Sequence, residues 1–162
     1  MQRLIAQWSR ELPGLPTSAM ATIGRLLRAA ALIERKLIGP LAELGLNGGE
    51  FDVLATLRRS GAPYRITPTT LAQNLMLSSG AMTNRLDRLE SRALIRRLPD
   101  PGDRRGTLIE LTSAGRELVE SAVALHAANE EMLLGAAMSN DEREALDTAL
   151  RTLLAGLEGE KD

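Results

Sequence analysis

Between residues 58 and 105 the chain carries ten basic side chains, every one an arginine, against four acids, a local excess of +6. Residues 1–57 stand at +1 and residues 106–162 at −8, so a net charge of −1 conceals a basic middle and an acidic tail. The planar fork of arginine meets the oxygens of phosphates and carboxylates two at a time, which favours pointed recognition of an anion over a diffuse lysine coat. The chemistry this suggests is binding to nucleic acid, with a solvated charged face as the plain alternative. Trp8, Phe51 and Tyr64 are the only aromatic residues. Proteins that hold single strands stack bases on several aromatics, so duplex DNA fits better. Catalysis is poorly served. Cysteine is absent, and His126, the single histidine, is expected on a helix surface or at an interface, apart from any carboxylate, cysteine or second histidine. Phosphate loops, dinucleotide fingerprints and nucleophile elbows do not occur.

The elements that must position these arginines follow from period and punctuation. Thr67-Pro68 reads as a helix start with proline in the first turn, leading through residues 69–75, and Ser78-Ser79 caps a second helix from Gly80 to about Arg92. In that second helix Met82, Leu86 and Leu89 recur at steps of four and three, a stripe for burial. Asn84, Asp87 and Arg88 then fall about 140° to 240° away, with Gly80 and Ala81 on the same far side. Small residues at the amino end and an arginine further on suit a helix entering a major groove, although an exposed helix of mixed charge has the same pattern. Beyond Ala93 the period becomes two. Residues 94–98 and 107–111 read as strands joined by a long Pro- and Gly-rich hairpin loop, residues 99–106, with Arg104 and Arg105 at its tip. A hairpin after a helix-turn-helix is a wing, and an arginine there can reach a narrow minor groove. A solvent pair of Asp103 with Arg105 is the lesser alternative.

Helices flank this core. A short one over Leu4 to Glu11 precedes a long amphipathic one from Ser18 to Gly39-Pro40, and Asn47 with Glu50 forms a capping box for a third that runs to Gly61. Leu111, Leu118, Leu125 and Met132 stand seven apart in a long helix from Ser113, and Ser139 with Glu142 caps a last one carrying Leu146, Leu150, Leu153 and Leu157. The expected architecture is therefore mainly α with a small β-hairpin wing, in which a winged helix-turn-helix core has long helices at both ends. Their apolar faces suggest a homodimer interface, with packing inside one chain as the alternative.

The run from Leu71-Ala72 through Ser78-Ser79-Gly80-Ala81-Met82-Thr83-Asn84-Arg85-Leu86-Asp87-Arg88-Leu89-Glu90, then Leu94-Ile95-Arg96-Arg97, Asp100-Pro101-Gly102-Asp103-Arg104-Arg105-Gly106, Leu111-Thr112 and Gly115, resembles the MarR family of winged helix-turn-helix regulators over residues 20 to 155. The resemblance implies a homodimer bound to a pseudo-palindromic duplex operator and released by a small molecule, a repressor in the commonest case. It implies that Ser79, Ala81, Thr83, Asn84 and Arg88 face the major groove, and that Arg105, oriented by Asp103, enters the minor groove with Arg104 nearby. It divides the chain into N-terminal helices for dimerisation and ligand over residues 1–45, a DNA-binding lobe over 46–112 and C-terminal dimerisation helices over 113–162. A nearer likeness, carried by Gln7-Trp8, Ile23-Gly24-Arg25-Leu26, Glu50-Phe51-Asp52-Val53-Leu54 and Pro63-Tyr64-Arg65-Ile66-Thr67-Pro68, is to the urate-responsive subgroup. Matched by position, its ligand residues fall at Trp8, Asp52, Arg85 and Arg97, with Arg59 a further candidate. The effector so implied is urate or another purine or phenolic anion.

Helical geometry bears on that ligand set. Arg85 stands about 60° from the buried stripe, where an arginine needs an anion, and Asp52 and Arg59, seven apart, project from one face opposite Phe51 and Leu54. Either Asp52 or Arg59 could therefore meet Arg85 or Arg97 in a shared crevice; the plain alternative is a fold-stabilising Arg85–Asp52 ion pair, with Trp8 an ordinary core or interface aromatic. A winged-helix module that binds protein instead of DNA is the competing class, though such a module has no reason to keep Arg104 and Arg105. The lack of cysteine and of any apolar run approaching about 18 residues points to a cytoplasmic protein with no membrane anchor.

Overall fold

Asn47, Thr67, Ser78, Thr112 and Ser139 each stand in extended backbone directly before a helix, and each side-chain oxygen accepts the amide hydrogen of the residue three further on. Such caps supply partners that helix amino-termini otherwise lack. They begin five of the helices in the computed structural model, which describes residues 2–159, Ser79 through its backbone alone. In chain order these elements are α1 (Gln2–Glu11), α2 (Ser18–Glu43), α3 (Gly48–Arg59), β1 (Arg65–Ile66), α4 (Pro68–Asn74), α5 (Ser79–Ser91), β2 (Ile95–Asp100), β3 (Asp103–Leu111), α6 (Ser113–Gly135) and α7 (Asn140–Glu158). No described helix is long and apolar enough to cross a membrane.

The end expected for the long helix at Gly39-Pro40 is displaced to Glu43. Pro40 has no N–H to give to the Lys36 carbonyl, which would ordinarily interrupt the ladder. The side-chain amide of Asn129 on α6 donates to that oxygen at 3.0 Å, so the carbonyl freed by the proline has a partner and also ties α2 to α6. The helix stops where Gly45 turns left-handed at φ 69° and the Leu46 amide reaches back to the Leu41 carbonyl.

The hairpin is more regular than its composition suggests. Its strands pair antiparallel from Ile95↔Leu111 to Asp100↔Asp103, with an irregularity at Pro99/Asp100, so the loop shrinks to Pro101-Gly102 and the two tip arginines belong to β3. The sheet also has a third strand that the sequence does not announce: β1 joins the outer edge of β3 through Arg65↔Glu110 and Ile66↔Ile109. Two residues are too few to display a period. Glu110, buried on β3, bridges the three strands: Arg65 Nη2 lies 2.8 Å from its carboxylate and Arg96 donates to its other oxygen. The hydrogen bond from Arg96, then that from Arg65, holds this carboxyl below its ordinary range although burial alone would raise it.

The core gathers Leu54 and Leu57 of α3, Leu71 of α4, Met82, Leu86 and Leu89 of α5, Ile95 of β2 and Ile109 of β3. It also draws in Leu41 of α2 and Val119 and Ala122 of α6. Thus α6 buries the Gly115, Val119 and Ala122 face, while Met132, placed on the every-seventh seam, is exposed. Gly115 permits the closest approach: a Cβ there would sit 1.9 Å from the Leu94 carbonyl oxygen. Gly115→Ala should therefore push α6 off the sheet and destabilise the fold by about 3 kcal/mol, read as a lowered urea midpoint. The pH dependence has a definite sign as well. A carboxyl whose folded pKa is depressed adds stability above its unfolded value and loses it as pH falls through the folded one. The wild-type chain should lose stability as pH drops below 4.5, the ordinary glutamate value, and Glu110→Gln, weaker at neutral pH, should converge with it in acid.

Candidate nucleic-acid interface

With Met82, Leu86 and Leu89 buried, the opposite side of α5 faces solvent, and Ala81, Thr83, Asn84, Asp87 and Arg88 are exposed. Of these, Ala81, Thr83, Asn84 and Arg88 are positions expected to face a major groove; the side chain of Ser79 lies outside the described ones. The turn before α5 is closed by the Leu77 amide on the Ala72 carbonyl, which sets Met76 left-handed at φ 51° and leaves its side chain 94% exposed. Tight turn, cap and stripe together hold α5 across the surface of the lobe.

Polar ties refine that placement. Arg88, expected to face the major groove, pairs through Nε with the buried carboxylate of Glu50 at 3.1 Å. One turn on, Arg92 donates to the Gly45 carbonyl at 2.9 Å and lies 3.4 Å from the other Glu50 oxygen. Arg85 lies across Gly49, where a Cβ would come within 2.6 Å of its guanidinium carbon, and makes a long 3.4 Å hydrogen bond to the Gly49 carbonyl. On the wing side, Arg97 of β2 donates to Asp87 at 2.6 Å and to Glu90, and Glu90 also accepts the Arg97 amide hydrogen at 3.0 Å. Burial alone would depress the Arg97 guanidinium, but the hydrogen bonds to Asp87 and Glu90 hold it above its ordinary value.

At the wing tip Arg104 and Arg105 are exposed. Asp103 acts on Arg105 through the backbone, accepting its amide hydrogen at 2.9 Å, and not through the guanidinium. Asp100 likewise accepts the Gly102 amide hydrogen at 2.8 Å. Two carboxylates thus shape the turn and leave both arginine side chains to solvent. Gly106 packs so closely that a Cβ would meet that of Asp100 at 2.9 Å.

The residues matched to a ligand set are less closely gathered. Among the described residues no ion pair joins Arg85 to Asp52, because Arg85 turns to the Gly49 carbonyl and Asp52 lines a cleft of about 570 Å³ between α2, α3, α6 and α7. Asp52 retains solvent, yet loss of water around it pushes its carboxyl above the ordinary value against the pull of Arg85, His126 and Arg59. Trp8, on α1, is 41% exposed and lies outside the lining of that cleft, and Arg97 is committed to Asp87 and Glu90. Of the five expected residues, then, the electrostatics link Asp52, Arg85 and Arg59, while Trp8 and Arg97 stand apart. His126 corrects another expectation. It also lines the cleft, with Nε2 3.3 Å from Glu130 and its ring 4.7 Å from that of Phe51. Its Nδ1 is buried with no hydrogen-bond partner among the described residues. The sequence reading overlooked Glu130 at the i+4 position, and it also missed Glu50 as an arginine acceptor, though a capping glutamate beside an arginine-rich helix was the available signal.

Comparison with known proteins agrees with this geometry. Residues 46–107 match the profile of the MarR family. The chain is 41% identical over 155 residues to the HTH-type transcriptional regulator PecS of Dickeya dadantii, covering 96% of this chain and 90% of that protein. It is 31% identical to the multiple antibiotic resistance protein MarR of Escherichia coli over 82% of this chain and 90% of the relative. Among solved structures, a point variant of E. coli MarR complexed with operator DNA superposes with a TM-score of 0.73 at 30% identity, covering 86% of this chain and 98% of that one.

Proposed function

The chain belongs to the MarR family of transcriptional regulators, and from that premise we propose that it binds a pseudo-palindromic duplex operator as a homodimer and releases it on binding a small anionic aromatic of the urate kind. The observation that carries the DNA reading is the division of α5: one face locked into the core by Met82, Leu86 and Leu89, the other presenting Ala81, Thr83, Asn84 and Arg88 in a segment of charge +6. A relative complexed with operator DNA superposes over most of the chain. In this reading α5 enters the major groove, and Arg105, on a tip whose backbone is held by Asp103, enters the minor groove with Arg104 beside it.

The dimer is supported by where apolar surface remains. Apart from Met76, the large hydrophobic side chains exposed among the described residues lie between Leu4 and Ile38 or between Val123 and Leu157, outside the winged core. Effector release is supported by the weak hold on Arg85, a single long hydrogen bond to Gly49 in the neighbourhood of Asp52. An anion that draws Arg85 away must disturb the helix that carries Asn84 and Arg88. A coupling of about 1–3 kcal/mol is enough to weaken operator binding roughly five- to 150-fold.

The test is fluorescence anisotropy of a labelled duplex from upstream of this gene, titrated with protein at fixed salt with and without urate, since phosphate contacts make affinity steeply salt-dependent. Binding no tighter than to a random duplex would overturn the DNA reading, and tight binding indifferent to urate would remove the effector alone. Arg105→Ala should weaken binding and reduce the salt slope by about one; an unchanged slope and affinity would take the wing out of the interface. Arg85→Ala should bind operator nearly as wild type while ignoring urate, and a folded Arg85→Ala protein with the full urate response would sink that mechanism.

A further inference from the structure

Only 2% of Glu50 remains accessible. A carboxylate taken out of water needs partners to offset its lost hydration. Its Oε2 accepts the Asn47 amide hydrogen at 3.2 Å, closing the capping box of α3. That duty does not explain the burial. On α7 Glu142 closes the same kind of box with Ser139 from an exposed position. What distinguishes Glu50 is that it faces α5, with Arg92 beside Oε2 and the Nε of Arg88 at 3.1 Å from Oε1.

The atom by which Arg88 is held decides what it can still do. An ion pair whose closest approach is through Nε leaves open the edge formed by the two Nη atoms, the edge that meets guanine O6 and N7 in parallel hydrogen bonds. The Arg88 side chain is 61% exposed although its Nε is engaged. It shares the outward face of α5 with Asn84, above a polar crevice whose walls include Glu50 and Gly49. An unsupported arginine must lose rotamer freedom on binding, whereas one held from behind has already lost it.

We propose that Glu50 is a positioning residue for sequence reading: its buried carboxylate holds Arg88 by Nε so that the Nη edge is aimed at a guanine in the major groove. This rests on the reading that α5 enters that groove. Glu50 also caps α3, so the aim of Arg88 is referred to the framework of the lobe and not to α5 alone.

The experiment presents a library of randomised duplexes to the wild-type dimer, to Arg88→Ala, to Glu50→Ala and to the double variant, and sequences what each retains. Arg88→Ala should lose the preference for guanine at one position of each half-site. Glu50→Ala should lose about tenfold of the preference at that same position, keep it elsewhere, and add nothing in the Arg88→Ala background. Glu50→Gln keeps one acceptor oxygen and the capping role, so it stands in should the alanine variant fail to fold, with a smaller loss at the same position. Full guanine preference in a folded Glu50 variant, an even loss across all positions, additive effects in the double variant, or an Arg88→Ala protein that merely binds every sequence more weakly would each overturn the proposal. A wild-type dimer that selects no sequence at all would instead bring down the DNA reading on which it rests.

Discussion

Burial of Met82, Leu86 and Leu89 against the rest of the lobe pins α5 in place, and each such side chain removed from water contributes about 1.5–3 kcal/mol. Their spacing selects which face of the helix looks outward. A hydrophobic stripe is nevertheless indifferent to small rotations and slides, because apolar contact has no direction. Direction comes from the polar ties around the stripe. Glu50 takes Arg88 and Arg92 from one side of α5, the Gly49 carbonyl takes Arg85, and Arg97 takes Asp87 and Glu90 from the other. The exposed members of these pairs are worth little individually as stability. Their effect is to choose one orientation among several that the core would accept.

The same ties determine what can move together. Arg97 sits on β2 and binds two acids of α5, so α5 and the base of the hairpin share one ion-pair cluster. Sheet pairing carries that link along β2 and β3 to the tip, where Asp100 and Asp103 hold the backbone of the turn. Helix α5 and the hairpin tip are thereby joined without passing through the core. The Glu50 cluster instead joins α5 to the start of α3 and to the α2–α3 turn at Gly45. Of the arginines on α5, Arg85 has the loosest hold, one long hydrogen bond to the Gly49 carbonyl, and its charge acts on Asp52. A shift of α5 that starts there has to break contacts on both flanks, so intermediate positions are disfavoured.

Much of this was legible from residue order. The Met82, Leu86 and Leu89 stripe follows from 100° per residue, and the capping boxes at Asn47 and Ser139 follow from a donor–acceptor pair at fixed spacing, so neither needs any knowledge of the rest of the fold. What was not legible is whatever depends on a choice between distant partners. Helical phase separates Arg85 from Arg88, but nothing local says which acceptor Arg85, Arg88, Arg92 or Arg97 will meet. The likeness to the urate-responsive subgroup puts Arg97 among the ligand residues, and nothing local announces that its guanidinium meets Asp87 and Glu90. The run of α2 through Pro40 was hidden for the same reason, since the amide that meets the freed carbonyl comes from Asn129, far along the chain. The two-residue strand β1 has no period to detect, and it exists because β3 offers an open edge.

Charge and apolar surface divide the molecule along the same line. The winged core keeps its large hydrophobic side chains inside, Met76 excepted, and holds the arginine excess, whereas the exposed Leu153, Leu154 and Leu157 of α7 belong to a segment of charge −8. Phosphates repel that acidic segment and attract the basic one, which favours approach of a duplex from the side of α5 and the wing. The exposed apolar surface of the terminal helices is what a second copy would cover. A two-fold interface there would present both α5 helices to the same face of the duplex, and half-sites about 34–36 Å apart are what such symmetry demands. The acidic tail thus does for orientation what the arginines do for attraction, and a chain with almost no net charge can still be a strongly polarised DNA-binding surface.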